Sequence, residues 1–183
     1  IYNIISPAFL RKLAQEPADF GDSFAGPRLL TIARLSPQKG LDLALLAALI
    51  LKKRGYSFRW YIIGVGPEEA DLRDQAEALG LNDTVFFLGE KANPYPYVRA
   101  CTVYVQPSRF EGKSIAVDEA MALAKPILLT DFSTAADQID SGKTGLIVPL
   151  SPDGIAQGLQ QLLDSASLRD SYSKSLAALD ISN

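Results

Sequence analysis

The 183-residue sequence predicts one α/β domain built around a parallel sheet. Three observations lead to this prediction. Short runs rich in β-branched and aromatic residues alternate with helical patterns, the strand-like runs are apolar throughout, and Gly, Pro or Ser bounds each run. Nearly half of the residues (48%) are hydrophobic, which is ample for one core and short for two.

Six strands and seven helices follow from this pattern. The predicted strands cover 28–35, 58–64, 84–89, 102–108, 125–131 and 144–149. The predicted helices cover 41–54, 68–79, a short segment within 94–100, 114–123, 134–141, 153–164 and 168–179. Because parallel strands need crossovers, we expect a Rossmann-like doubly wound sheet of about six strands with helices on both faces. Residues 26–183 would form this domain, and residues 1–25 a leading segment.

Composition and charge argue against several classes of function. The net charge of -3 disfavours a general nucleic-acid or membrane surface. The sequence has no histidine, so mechanisms in which this chain provides an imidazole as a base or as a metal ligand are excluded. Cys101 is the only cysteine, so a disulfide framework and a thiolate metal site are excluded, and a reducing compartment is predicted. The longest apolar run, 41–51, is far shorter than the roughly 20 residues of a membrane span.

Two loops follow predicted strands and contain residues typical of ligand-binding turns. The first has two cations that could bind a phosphate, and the second has two glycines. Arg34, Lys39 and Gly40 follow the first strand and precede a helix, and two cations beside a helix start suit a diphosphate. The alternative, slightly favoured for this segment alone, is a solvated loop in which Gly40 only lets the chain turn. After the second strand, Gly64 and Gly66 lack the remaining glycine of the dinucleotide fingerprint, so the sequence does not support a nicotinamide cofactor.

The stretch RFEGKSIAVDEA, residues 109–120, has a carboxylate before a predicted helix and another inside it. Gly112 lets a ligand approach the backbone, and Ser114 is a candidate N-cap that leaves the amides from Ile115 onward free for an anion. Glu119 follows by five residues, about 7–8 Å along the helix, so its two oxygens could accept bonds from a ribose diol. Glu111 would face the far end of the ligand. Spacing alone gives about equal weight to this ligand-binding arrangement and to an alternative in which Glu111 lies at the surface and Glu119 pairs with a basic side chain.

Several segments together resemble a known enzyme family. Glu111 and Glu119 have the spacing of an E-x7-E motif, and Arg34 to Gly40 resembles the diphosphate loop that accompanies it. Further matching segments follow in the same order and spacing: 63–67, 86–89, 105–108, 120–126 and 142–148. This set is similar to the retaining GT-B glycosyltransferases of family GT4, and the similarity covers nearly the whole chain.

The resemblance implies that the chain is the C-terminal, donor-binding half of a GT-B enzyme. Its partner would be an N-terminal acceptor domain of the same polypeptide, and Ile1-Tyr2-Asn3 resembles the interdomain linker. Because the chain lacks an initiator Met, we expect a segment to precede it. The expected location is the cytoplasm, with peripheral attachment to the inner membrane only through the other domain.

The resemblance also implies roles for individual residues. Arg34 and Lys39 would bind the diphosphate, Glu119 the ribose, and Glu111 the transferred sugar. Arg34, Lys39 and Glu111 would be the catalytic set. Backbone groups would complete the donor site: Gly89, Glu90 and Lys91 at the base, and Gly112, Lys113, Ser114 and Ile115 beside the diphosphate and sugar.

The chemistry of glycosyl transfer agrees with this assignment. Positive charge develops at the anomeric carbon and negative charge on the leaving diphosphate, which Arg34 and Lys39 would stabilise. The sequence has no Asp-x-Asp pair, so we expect no metal and no cofactor beyond the UDP-, GDP- or ADP-sugar substrate. Lys113-Ser114 departs from the commoner aromatic-Gly pair, and Val65 from a frequent acidic residue. These departures leave the donor sugar open.

Three functions therefore stay open at the level of sequence. The first is a glycosyltransferase donor domain that binds its nucleotide sugar but transfers nothing without the other domain. The second is the nucleotide-binding half of another GT-B enzyme, a sugar-nucleotide 2-epimerase or a phosphorylase, although the missing histidine disfavours the epimerase. The third is a non-catalytic nucleotide-binding module.

Overall fold

The computed structural model describes residues 6–179, and their six strands form one parallel sheet. The strands are β1 (Arg28–Ile32), β2 (Arg59–Ile63), β3 (Val85–Gly89), β4 (Val103–Gln106), β5 (Ile127–Thr130) and β6 (Leu146–Val148). Their order is β3-β2-β1-β4-β5-β6, so the chain winds outward in both directions from β1 and β4. This order confirms the predicted doubly wound sheet, and it places a crevice between the carboxyl ends of β1 and β4.

Eight α-helices connect and flank these strands in the described part of the chain. They are α1 (Pro7–Leu13), α2 (Leu41–Lys53), α3 (Glu69–Ala78), α4 (Tyr95–Ala100), α5 (Ile115–Ala122), α6 (Ala135–Gln138), α7 (Pro152–Asp164) and α8 (Ala166–Ala177). A 3-10 turn, Pro37–Lys39, precedes α2. Every predicted strand is longer than the observed one, by one to three residues, because residues at one or both ends of each predicted run lie in loops outside the ladder.

The strands are apolar on both faces because helices cover both faces. On β1, Leu29 packs into a core formed with α2, α3 and α7, whereas its neighbour Leu30 packs into a core formed with α4, α5 and α6. Both leucines are fully buried. Adjacent strand residues point to opposite faces of the sheet, so two covered faces require an unbroken apolar run.

Helix α1 lies in the leading segment and was not predicted from the sequence. Its start has a recognisable signal, because Ser6 Oγ accepts a hydrogen bond from the Phe9 amide at 3.3 Å and Pro7 occupies the first turn. Leu10 packs against Tyr95 of α4 and Ala122 of α5. The linker-like residues 1–3 lie outside the described residues, and the proposed boundary at residue 26 stays a prediction.

A partly buried ionic cluster ties the leading segment to the amino ends of β1 and β2. Asp22 accepts hydrogen bonds from Arg28 at 2.8 Å and from the Tyr61 hydroxyl at 2.6 Å, and Arg59 approaches it to 2.9 Å. Burial alone would raise the pKa of Asp22, but the bonds from Tyr61, the Phe24 amide and the two arginines outweigh burial and hold the pKa well below its usual range. This cluster lies at the edge of the sheet opposite the crevice.

Gly40 brings the loop after β1 against the loop after β4. Its φ is +65°, and a Cβ atom there would overlap the carbonyl oxygen of Pro107. Two constraints therefore act together at this position, a left-handed backbone and a close approach of two chains. This contact fixes how near the Lys39 loop lies to the residues that follow β4.

We predict that Gly40→Ala destabilises the domain by about 2 kcal/mol more than Gly80→Ala. Gly80 has nearly the same φ, +68°, but no atom lies within 4 Å of its Cβ position. Gly80→Ala should therefore cost only the left-handed strain, about 1–2 kcal/mol, while Gly40→Ala adds a steric overlap. Urea unfolding of both variants measures the difference, and equal losses would show that Pro107 does not constrain Gly40.

Candidate functional site

Hydrogen bonds join the loops after β1 and β4 at the carboxyl edge of the sheet. The Arg109 amide donates to the Gln38 carbonyl at 2.8 Å, and the Gln38 side chain donates to the Phe110 carbonyl at 3.1 Å. The Arg109 guanidinium binds both oxygens of Asp42, at 2.8 and 2.7 Å, and holds the pKa of that carboxyl below its ordinary value. The two loops are therefore one rigid unit around the crevice.

The Glu111 carboxylate is buried inside this unit. Its side chain is 6% exposed, and its Oε1 accepts hydrogen bonds from Lys39 Nζ at 2.7 Å, Ser108 Oγ at 2.6 Å and Gln106 Nε2 at 2.9 Å. A buried carboxylate is expensive unless it is paired and hydrogen-bonded, and here it is both. The alternative of a surface Glu111 is therefore wrong, because strand β4 and the Lys39 loop enclose it.

Glu119 lies just over one turn into α5 and has a different partner. Tyr95 of α4 donates its hydroxyl to Glu119 Oε1 at 2.8 Å. Burial raises the pKa of Glu119 above its ordinary value, the Tyr95 bond opposes this shift, and the charge of Asp118 adds to it. Burial and the bond to Glu119 also raise the pKa of Tyr95 to about 12, so Tyr95 is a neutral donor. Among the described residues Glu119 makes no ion pair, so the alternative of a basic partner is wrong.

The start of α5 is built as predicted, with Ser114 as its N-cap. Ser114 is buried, and its Oγ accepts a hydrogen bond from the Val117 amide at 3.4 Å. The Gln138 side chain exchanges two bonds with the Ser114 backbone, at 3.1 and 2.9 Å, and thereby fixes the entry to the helix. Ile115, at the first helical position, is 55% exposed, so the start of α5 lies at the protein surface.

Gly112 and Lys113, which follow Glu111, are exposed. No atom lies within 4 Å of a Cβ position at Gly112, so the packing of the protein does not require a glycine there. Lys113 forms an ion pair with Asp118 at 3.1 Å, with 71% of its side chain exposed. The Thr134 hydroxyl donates to the Gly112 carbonyl at 2.6 Å, which holds this stretch over the crevice.

Arg34 and the residues after β3 line an open cleft of about 370 Å³. Arg34 is exposed, Glu90 and Lys91 form the opposite wall, and the Gly89 carbonyl accepts a bond from the Gly64 amide at 2.8 Å. The predicted base-binding residues thus lie beside Arg34. A larger cleft, about 770 Å³, lies between α1 and α5 and contains Arg11 and Arg99, but none of the predicted site residues lines it.

Comparison with known proteins identifies the family to which the chain belongs. The family model for glycosyl transferases group 1 matches residues 22–177. The chain belongs to the group 1 glycosyltransferases. It is 30% identical over 157 residues to alpha-D-kanosaminyltransferase of Streptomyces kanamyceticus, covering 84% of this chain and 40% of that enzyme. It is 33% identical over 144 residues to the amylovoran biosynthesis glycosyltransferase AmsK of Erwinia amylovora, covering 74% of this chain and 35% of that protein.

Solved glycosyltransferase structures share the fold. WaaG, a glycosyltransferase involved in lipopolysaccharide biosynthesis, superposes with a TM-score of 0.81 at 19% identity, covering all of this chain and 51% of WaaG. The C-terminal domain of the group 1 protein LpcC from Francisella tularensis has a TM-score of 0.72 at 25% identity, with 82% of this chain and 83% of that domain covered. The fold is therefore half of a GT-B glycosyltransferase, and the chain spans less than half of the curated relatives described above.

Several residues that the sequence did not single out contact the predicted site residues. Tyr95, Gln106, Ser108, Thr134 and Gln138 all bind the motif residues or their backbone. The contacts of Gln106 and Ser108 could have been anticipated from the sequence, because polar residues at the end of a buried strand need hydrogen-bond partners. Nothing in the sequence connects Tyr95 and Gln138 to the motif, because they belong to other helices.

Two features of the described residues bear on metals and membranes. Within residues 6–179, no three His, Cys, Asp or Glu side chains are grouped so that they could hold a metal ion. In the same range, no helix is both long enough and apolar enough to span a bilayer.

We predict that Lys39→Met destabilises the group 1 domain by about 2 kcal/mol, because Glu111 loses its only charged donor among the described residues while staying buried. Lys113→Met removes the same charge from the exposed pair with Asp118 and should change stability by less than about 0.5 kcal/mol. Urea unfolding at low salt tests both variants. Equal effects would contradict the importance of the Lys39 to Glu111 bond.

Proposed function

We propose that this chain binds a nucleotide-diphosphate sugar for retaining, metal-independent glycosyl transfer to a glycan or lipid-linked acceptor. The observation that supports this most directly is the arrangement of the two glutamates. Glu111 is buried against Lys39 at the crevice, and Glu119 lies just over one turn along α5 with one oxygen bound to Tyr95. Between them lies a solvent-facing helix start, which suits an anion.

The diphosphate would lie between Arg34, Lys39 and the amide end of α5. Lys39 can bind a phosphate oxygen without releasing Glu111, because an ammonium group has three donors and one of them is used in the contact with Glu111. Arg34 is exposed and can form a fork with a second phosphate oxygen. Together they would stabilise the charge that develops on the leaving diphosphate.

The nucleoside and the sugar would then extend in opposite directions from the diphosphate. The base would enter the cleft formed by Arg34, Glu90 and Lys91, and the ribose hydroxyls would bind Glu119. The transferred sugar would contact Glu111 and the open backbone at Gly112. Glycans are the natural acceptor class to propose, since AmsK is named for amylovoran biosynthesis and WaaG for lipopolysaccharide biosynthesis.

The choice among donor bases rests on a structure of similar fold. HepE of Anabaena, with a TM-score of 0.79 at 22% identity over 95% of this chain and 47% of its own, was solved with UDP and glucose. UDP-sugars are therefore the first donors to test. Neither an epimerase or phosphorylase half nor a non-catalytic module is favoured by a specific contact in the described residues. The cytoplasmic location stays a prediction.

We expect a UDP-, GDP- or ADP-sugar to raise the melting temperature of the domain, and EDTA to leave that shift unchanged. Calorimetry should then show that Arg34→Ala or Lys39→Ala weakens binding of the best nucleoside diphosphate by about 1.5–3 kcal/mol, the range for charge-assisted bonds. Lys53→Ala, at the exposed opposite end of α2, is the matched control. Unchanged binding in both site variants would remove the phosphate assignment, and a strict Mg²⁺ requirement would refute metal independence.

A second expectation concerns the ribose. The domain should bind UDP more tightly than dUDP, and Glu119→Ala should abolish this preference, whereas Asp118→Ala on the same helix should retain it. Because burial raises the pKa of Glu119, falling pH should protonate it sooner than an ordinary glutamate and weaken the preference above the usual carboxylate range. Titrations of both nucleotides across pH 4.5–8 provide the measurement. Equal affinity for UDP and dUDP in the wild type would exclude the ribose role.

A third expectation separates binding from catalysis. Transfer requires an acceptor hydroxyl held near the anomeric carbon in a cleft closed to water, and the described crevice is open. The domain alone should therefore bind its donor without glycosylating any acceptor. Mass spectrometry of reactions with its best donor and a panel of acceptors detects the product. Turnover at an ordinary enzymatic rate would show that no second domain is needed.

A further inference from the structure

Three donors converge on one oxygen of Glu111 and leave the other oxygen without a hydrogen bond among the described residues. Oε1 accepts from Lys39, Gln106 and Ser108 within 2.6–2.9 Å. One carboxylate oxygen is therefore saturated by the protein. The carboxylate cannot rotate without breaking three bonds, so Oε2 has a defined direction.

Two of these donors come from the end of strand β4. Gln106 is 1% exposed and Ser108 is fully buried. Gln106 Nε2 also donates to Ser108 Oγ at 3.0 Å, so the amide, the hydroxyl and the carboxylate form a closed triangle. The Ser108 backbone is held in turn, because its carbonyl accepts the Thr130 hydroxyl at 2.6 Å. The triangle is thus anchored to two neighbouring strands.

Tyr104 sets the orientation of the Gln106 amide. Its hydroxyl lies 2.8 Å from Gln106 Oε1 and is wholly buried. Burial raises the pKa of Tyr104 far above its usual range, so its hydroxyl keeps its proton and can donate to the amide oxygen. With the amide oxygen bound to Tyr104, the amide nitrogen must face Ser108 and Glu111.

We infer that Gln106 and Ser108 are positioning residues that hold Glu111 Oε1 so that Oε2 is presented to the transferred sugar of the donor. Tyr104 supports them by fixing the amide. This inference rests on the proposed function, because it needs Glu111 to contact the sugar. It adds a specific consequence: the contribution of the sugar to donor binding depends on buried side chains that do not touch the donor.

A purely structural role does not account for the free-energy cost of burying polar side chains at this position. Val103, Tyr104 and Val105 make the rest of β4 apolar or aromatic, and burying an amide and a hydroxyl requires full hydrogen bonding. A positioning role accounts for this cost, because residues that fix a reacting group within a few tenths of an ångström contribute to function.

The test compares binding of a nucleotide with binding of its sugar conjugate, using UDP with UDP-glucose, GDP with GDP-mannose and ADP with ADP-glucose. Gln106→Met keeps the side-chain length and removes the donor, and Ser108→Ala removes the hydroxyl. Both should weaken binding of the sugar conjugate about tenfold while changing binding of the free nucleotide less than about twofold. Tyr104→Phe, the mildest change, should reduce binding of the sugar conjugate by a smaller factor.

A double-mutant cycle distinguishes positioning from a loss of fold. In a Glu111→Ala background, Gln106→Met should have less than about a twofold further effect on the sugar conjugate, because the group it positions is gone. Thr31→Val is the control, since Thr31 is a buried β1 residue that donates to the Val105 carbonyl and does not touch Glu111. It should leave the ratio of the two affinities unchanged, and urea unfolding identifies any variant that is not folded.

The outcomes separate the two hypotheses. A selective, non-additive loss of sugar binding supports the positioning role. If the sugar conjugate binds more tightly than its nucleotide in wild type and the ratio is unchanged in all three β4 variants, the positioning role is overturned and the proposed function stands. If none of the six compounds binds to the wild type, the proposed function fails and the positioning role fails with it.

Discussion

The bond between Lys39 and Glu111 is the interaction on which the crevice depends. It joins a loop that follows β1 to a loop that follows β4, across the point where the sheet winds in opposite directions. Gly40 allows the close approach, Arg109 ties the same loops from outside, and Gln106 and Ser108 complete the shell around the carboxylate. A buried charge pair of this kind contributes little net stability, but it requires one arrangement of its surroundings.

The two glutamates of the motif have different environments, and these suit different tasks. Glu111 is held by several donors at one oxygen, which gives it a fixed direction. Glu119 is held by the single hydroxyl of Tyr95, and its pKa is raised by burial. A fixed carboxylate suits a sugar that must be aligned for reaction, and a less constrained one suits a ribose that only needs to be held.

Much of the fold was predictable because it depends on local patterns. Apolar runs bounded by Gly, Pro and Ser gave the six strands, and Ser114 identified the start of α5 from its capping preference. Helix α1 was missed because it is only seven residues long and one of them, Leu10, is buried. The predicted strands were too long because the sequence alone does not distinguish a residue in a loop from one at the end of a strand.

The site was predictable in its motif and not in its contacts. Spacing predicted that Glu111 and Glu119 lie near a ligand, yet it left open whether Glu111 was buried, because burial depends on a loop 72 residues away. The partner of Glu119 belongs to α4, and no periodicity connects Tyr95 to it. Contacts of this kind arise from the topology of the sheet, and only the three-dimensional structure brings them together.

A nucleotide sugar bound at the crevice between the carboxyl ends of β1 and β4 should perturb the backbone amides that surround it. Chemical-shift mapping of the 15N-labelled domain with its best UDP-, GDP- or ADP-sugar tests this most directly. We expect the largest amide shifts in 34–40, 89–91 and 111–119. Shifts concentrated around the larger cleft at Arg11 and Arg99, or no shifts with any of these nucleotide sugars, would contradict it.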